Sequence, residues 1–466
     1  MSRTDFIRLW KCLVGVLPHL LVASVLVFAL TATYLRSALL PWPWLDMART
    51  EIRGACEHPD AQWMTVALVA LYLFSFAGLR WLQVGSLLNR VRIRTRLVLM
   101  LMFAGWAIVS YTLNYRTAAG STDLLVLLTA LAVGQGVAFF LEREESTGRS
   151  RADLKSNLFR LIAVLLALAS LVHPAASREF QYRGQTRWVG LWENPNNFGA
   201  LMAMGIVLAT GLLIASLAAC WGKTRSTTAF RIRFLPQLSA AVWLACFASC
   251  ATGLLFSYSR GAWLGAALGL GLLGWRSLCS VTEPSSPPRL RLLLFRRCAP
   301  ALVLLALSLG VIAFWSLRHT EIPLLRRVFT VGNINDFSWR NRVATWPGAL
   351  QVIARKPIAG WGWNRPVAVF DHGHQPAWLS ESAAITLNDY FMIGMTLGVP
   401  TLLAFLLWIR LVWQPADFPS SPASLPHAAL LPLLLSFGFD GGLFNLALAV
   451  PFSVMLELGI KVPPGS

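Results

Sequence analysis

The stretch NFGALMAMGIVLATGLLIASLAAC, residues 197–220, runs for 24 positions without a charged side chain. A helix crossing the hydrocarbon layer of a bilayer needs roughly 20 such residues. Comparable apolar runs lie at 12–33, 62–80, 97–113, 123–141, 157–174, 238–256, 261–278, 299–317, 385–409, 426–440 and 443–460. Together they predict an all-α polytopic membrane protein with about twelve transmembrane helices. The last two runs are short and fit either two spans or one re-entrant hairpin. The first run ends at Thr33 with no small-x-small cleavage pattern, so it is expected to stay as a helix.

Composition agrees. Of 466 residues, 56% are hydrophobic and only 13% are charged, against roughly 25% charged in soluble globular proteins. That leaves too little polar surface to face water on all sides. The seven cysteines (12, 56, 220, 246, 250, 279, 298) are odd in number and scattered. They form neither a disulfide framework nor a metal-binding pair.

The net charge of +19 acquires meaning once it is mapped. With the N-terminus in the cytoplasm, the inner loops hold 24 of the 40 Lys and Arg residues, from Arg3, Arg8 and Lys11 through the 90–96 arginines to Arg410 and Lys461. The short outer loops hold 8: Arg36, Arg49, Arg53, Arg116, Arg178, Arg183, Arg187 and Arg260. The long 318–384 loop holds the remaining 8. A threefold bias that alternates loop by loop is the positive-inside pattern. It predicts both termini in the cytoplasm and a large outer loop between helices 9 and 10. It also accounts for the basic charge without nucleic acid. Pro/Ser-rich linkers stand at 279–298 and 413–426.

The long loop contains an amphipathic segment. Val343, Trp346, Ala349, Leu350 and Ile353 recur at three- and four-residue steps. Asp336 or Ser338 is placed to cap it, and Pro357 to end it. Such a helix can lie on the bilayer surface or pack in a small outer subdomain.

Candidate chemistry collects on the outer side. Residues 175–199, AASREFQYRGQTRWVGLWENPNNFG, place Arg183 and Arg187 ahead of an Asn/Pro-rich turn with Glu193 and Asn196. Arg260 stands in FSYSRGAWLG (256–265), at the tip between two apolar runs. Arg340 and Arg342 open WRNRVATWPGALQVIARKPIAGWGWN (339–364), whose Gly-Trp-Gly-Trp end offers flat aromatic surface for sugar rings or a lipid interface. A guanidinium presents a planar fork of donors that matches phosphate oxygens, so converging arginines suit a diphosphate. Lipid headgroups would use the same residues. For acid–base work the candidates are Asp389 in ITLNDYFMIG, beside Asn388, and the loop histidines His372 and His374. Asp371-His372-Gly-His374 alone is a poor metal set, and neither metal nor cofactor is expected. Asp440 in FDGG is a weaker candidate of the same kind, or the mark of a tight outer turn.

SRGAWLG opening a helix, the long outer loop with its RxxxWxxALxxIxxxPxxGWG pattern, and the Asn-Asp-aromatic start of the next helix resemble the O-antigen ligase and polymerase superfamily. GLWENPNNFG (190–199) resembles the family's turn before that region. The likeness covers about 245–409, between an N-terminal helical part (1–244) and a C-terminal one (410–466). It implies a GT-C-like fold in the inner (cytoplasmic) membrane. It implies an undecaprenyl-diphosphate-linked glycan donor, and a sugar acceptor such as the lipid A core or a growing glycan. Arg260 corresponds to the family's helix-tip arginine that contacts diphosphate, and Arg183 or Arg187 to a second one. Many members carry a histidine, the proposed base, just before the Asn that ends the long loop. Here that position is Leu387, which turns attention to Asp389 or a loop histidine. A polysaccharide or solute transporter, or an inactive partner of a glycan assembly system, are the alternative readings.

Overall fold

The computed structural model describes residues 59–83, 87–114, 118–146, 151–171, 180–182, 185–190, 192, 194–222, 230–280, 337–363, 370, 388–413 and 425–460. The runs at 12–33 and 299–317, and both chain ends, lie outside them. The described residues form twelve α-helices and one two-stranded hairpin. The elements are α1 (Pro59–Gln83), α2 (Leu87–Leu113), α3 (Ala118–Ser146), α4 (Arg151–Leu171), β1 (Phe180–Tyr182) and β2 (Gln185–Arg187). Next come α5 (Pro195–Gly222), α6 (Phe230–Ser257), α7 (Arg260–Ser280) and α8 (Phe337–Arg355). Last are α9 (Asp389–Leu397), α10 (Val399–Arg410), α11 (Leu425–Phe439) and α12 (Leu446–Leu458).

Five helical stretches among the described residues are long and apolar enough to cross a membrane: Ile93–Leu113, Asp123–Glu142, Asp153–Leu171, Pro195–Leu217 and Leu238–Ser257. The opening stretch supplies the fourth of these helices. In α5, residues 198 and 200–204 are all almost completely buried, because α4, α6, α7 and α11 pack around it. Such all-round burial explains why the run shows no polar face.

Small residues bring the helices close. A Cβ at Gly265 of α7 would sit 2.7 Å from Pro432 Cα of α11. One at Gly269 would sit 2.8 Å from the Ala428 carbonyl. Helix association in lipid depends on this kind of close backbone approach.

Two expectations about spans are refined. Residues 426–460 form two helices, α11 and α12, joined by a turn at 440–445. They run antiparallel, since Gly459 at the end of α12 lies beside His427 at the start of α11. The predicted 385–409 span is not one helix. It breaks at Gly398, whose φ of 86° lies in the left-handed region. There the Val399 amide leaves the helical ladder and donates to Pro357 O at 2.7 Å. Tertiary contact with the 357–362 segment overrides an apolar pattern that reads as continuous.

The amphipathic segment is helical as expected, from Phe337 to Arg355. Part of its apolar side packs inside the protein: Ala349 and Val352 form a small core with Phe370 and Met395 of α9, and Ile353 packs against it, while Leu350 stays exposed. The Gly-Trp-Gly-Trp end is used for packing as well. Trp363 is 4% exposed and meets Phe444 edge-on at 5.8 Å. Trp361 Nε1 donates to Val352 O at 2.8 Å.

At the other end of the bundle a buried ionic network fixes α12. Arg80 donates to Glu142 at 2.8 Å and to Glu457 at 3.0 Å, and also to Gln135. Arg96 reaches Glu457 at 3.3 Å. Lys155 Nζ donates to the Leu458 and Ile460 carbonyls at 2.8 and 2.7 Å, satisfying acceptors that a helix end leaves open. Two arginines read from the sequence as loop charges are therefore also structural.

Candidate functional site

The 440–445 turn is the meeting point of the outer residues. Asp440 is 9% exposed. Arg342 of α8 donates through Nη2 to Asp440 Oδ1 at 2.5 Å and through Nε to Phe439 O. Asn196, in the first turn of α5, donates through Nδ2 to the same Oδ1 at 2.9 Å. Arg187 donates through Nη2 to Asn196 Oδ1 at 2.7 Å and through Nε to Ser257 O at 2.8 Å. Arg260 opens α7, and its charge acts on Asp440 together with those of Arg342 and Arg187. The adjoining Gly261 lets α7 approach until a Cβ there would lie 3.0 Å from Asp440 Oδ2. Burial disfavours the charge on Asp440, and three guanidinium groups favour it.

Local structure explains the convergence. The β1–β2 hairpin pairs Phe180 with Arg187 and Tyr182 with Gln185, turning the chain back toward the bundle. Trp188 then docks on the end of α6, donating its amide to Phe256 O at 2.9 Å and stacking on the Phe256 ring at 4.6 Å. Pro195 at the first position of α5 fits a helix start. Tyr258, with φ of 50°, tightens the α6–α7 turn that sets Arg260 at a helix start.

Arg187, Arg260, Arg342 and Asn196 are thus brought together. Arg340 lies on α8 two residues before Arg342. Arg183, Glu193, His372, His374 and Leu387 fall outside the described residues. Asn388 and Asp389 are placed behind the same turn. Asn388 caps α9 by accepting from Phe391 N at 3.0 Å and donates to Gly438 O at 2.9 Å. Asp389 is 2% exposed, and its Oδ2 accepts from Leu443 N at 2.8 Å. In this arrangement the pair holds the turn that bears Asp440.

The cluster gives weight to one residue that the sequence reading ranked low and brings in others that it passed over. Asp440 is its centre; a lone Asp before Gly-Gly gives only a turn signal, and nothing local announces three distant arginines. Asp123, at the start of an apolar run, lies near enough to Asp389 for their charges to interact. Two buried polar atoms in the WENPNN turn, Trp192 Nε1 and Asn197 Oδ1, have no hydrogen-bond partner among the described residues. Orphaned buried groups are uncommon and point to a ligand or a strained functional segment. Trp192 also borders an apolar cleft between α4, α5 and α12, lined by Ile162, Leu166, Met204, Val450 and Val454.

Helices of this length around a polar cluster at one end define a multi-pass membrane protein with a site at its rim. Residues 240–406 match the family model described as O-Antigen ligase. Over that stretch, a little over a third of the chain, the protein is similar to the O-antigen ligases. A search of curated proteins finds no match. The matched stretch includes Arg260, Arg342, Asn388 and Asp389, while their partners Arg187, Asn196 and Asp440 stand on either side of it.

Proposed function

We propose that the protein transfers a glycan from an undecaprenyl-diphosphate carrier to a sugar acceptor on the outer face of the inner membrane. The observation that supports this best is the convergence of Arg187, Arg260 and Arg342 on one small region. Their common partner, Asp440, keeps the guanidinium groups together when no phosphate is present. The family match adds support for lipid-linked glycan as the substrate class.

In this reading the diphosphate lies against the arginines, and the carrier's apolar tail enters the cleft beside Trp192. Both are membrane-facing needs of one amphiphilic donor. Breaking the glycosidic bond builds negative charge on the leaving diphosphate. Preplaced arginines stabilise that charge more than the ground state, which lowers the barrier. Arg183, Arg340 and Glu193 extend the same face in sequence and belong to this proposed set. The α8 segment and the rest of the 318–384 loop orient the acceptor hydroxyl. A base then removes its proton. Asp389, whose Oδ2 accepts from Leu443 N, is the first choice for that role, and His374 or His372 the second. The full account has about twelve spans, cytoplasmic termini and a GT-C-like arrangement, without metal or cofactor.

The experiment is a transfer assay on the full chain in proteoliposomes, with a radiolabelled lipid-linked glycan donor. Release of undecaprenyl diphosphate with labelled acceptor supports the reading. Movement of unchanged donor across the bilayer would identify a transporter instead.

A further inference from the structure

The end of the bundle opposite Asp440 has three described arginines at one level, and they have different fates. Arg80 and Arg96 are 1% and 3% exposed and face inward to Glu142 and Glu457. Arg94 is partly exposed. Its guanidinium carbon lies 4.7 Å from the centre of the Trp81 ring. Among the described residues its buried Nε has no hydrogen-bond partner and no carboxylate pairs with it. Trp81 itself is 36% exposed.

The position of this pair along the helices matters. The apolar stretch of α1 is Val69–Trp81, and that of α2 begins at Ile93. Trp81 and Arg94 therefore stand where the two neighbouring apolar stretches end. That is the depth of lipid headgroups, where Trp is enriched and arginine reaches phosphate. The inward-facing arginines at this depth have protein carboxylates, and the partly exposed Arg94 has the Trp81 indole. The indole face attracts the cation and fixes its direction, leaving its donors for an anion from outside the protein.

We infer that Trp81 and Arg94 form a binding point for the phosphate of an anionic phospholipid in the adjoining leaflet. The site is separate from the outer arginine cluster and independent of the proposed reaction.

The test uses the full chain in nanodiscs of phosphatidylcholine with a minor fraction of phosphatidylglycerol, followed by native mass spectrometry of retained lipid. Wild type should keep phosphatidylglycerol preferentially. Arg94→Gln should lower that preference about fivefold, as expected for one arginine at the surface. Arg160→Gln, at an exposed arginine of α4 bonded only to Asn157 in its own helix, should leave it unchanged. Trp81→Leu should weaken retention in the same direction and serves if Arg94→Gln does not insert. Equal retention by wild type and the Arg94 or Trp81 variant would overturn the inference. So would equal loss in Arg160→Gln, which would mean diffuse surface charge, or displacement of the lipid by inorganic phosphate.

Discussion

Asp440 accepts from Arg342 and from Asn196, and Asn196 in turn accepts from Arg187. Removing the carboxylate takes the counter-charge from the partly buried Arg342 guanidinium, which keeps its bond to Phe439 O. Losing one member of such a pair costs about 3–5 kcal/mol. Asp440→Ala should therefore lower the unfolding midpoint clearly in a detergent thermal melt, and Asp440→Asn, which keeps the shape, should lower it less. Equal midpoints for wild type and Asp440→Ala would deny that the carboxylate holds the cluster. At this scale the sequence was partly legible. Arg260, Arg187 and Arg342 stood out because charge beside hydrocarbon is expensive. Asp440 did not, because its role depends on three residues 98 to 253 positions away, and no local pattern encodes that.

Helix α7 carries Arg260 and lies against α11 through small residues. A Cβ at Gly265 would meet Pro432 backbone at 2.7 Å, whereas one at Gly274 would meet nothing within 4 Å. Gly265→Ala should destabilise by about 1–3 kcal/mol, the usual range for overpacking, and weaken diphosphate binding by displacing Arg260. Gly274→Ala should be neutral or stabilising, since alanine suits a helix better than glycine. The same melt compares them, and identical behaviour of the two variants would contradict the α7–α11 contact. Apolar length made most elements readable, including α5 and the amphipathic α8. The break at Gly398 was not readable, because it comes from the Val399 amide turning to Pro357 O, a tertiary partner.

Across the whole molecule, α12 links the two ends: the 440–445 turn that leads into it carries Asp440, and its last turn carries Glu457, held by Arg80 and Arg96. Glu457→Ala should destabilise by about 3–5 kcal/mol, because it removes the carboxylate that two buried arginines share; chymotrypsin resistance in detergent reads the loss. Orientation is a separate expectation from loop charge. In a background lacking the seven native cysteines, a membrane-impermeant maleimide added outside intact cells should label Arg355→Cys and leave Arg410→Cys unlabelled. The opposite pattern would reverse the topology. The central claim is that the outer arginines stabilise a departing diphosphate, and it is tested most directly in proteoliposomes with labelled lipid-linked glycan. For membrane-inserted Arg260→Gln, the account predicts at least a hundredfold slower release of undecaprenyl diphosphate than for wild type. Transfer at the wild-type rate would contradict it.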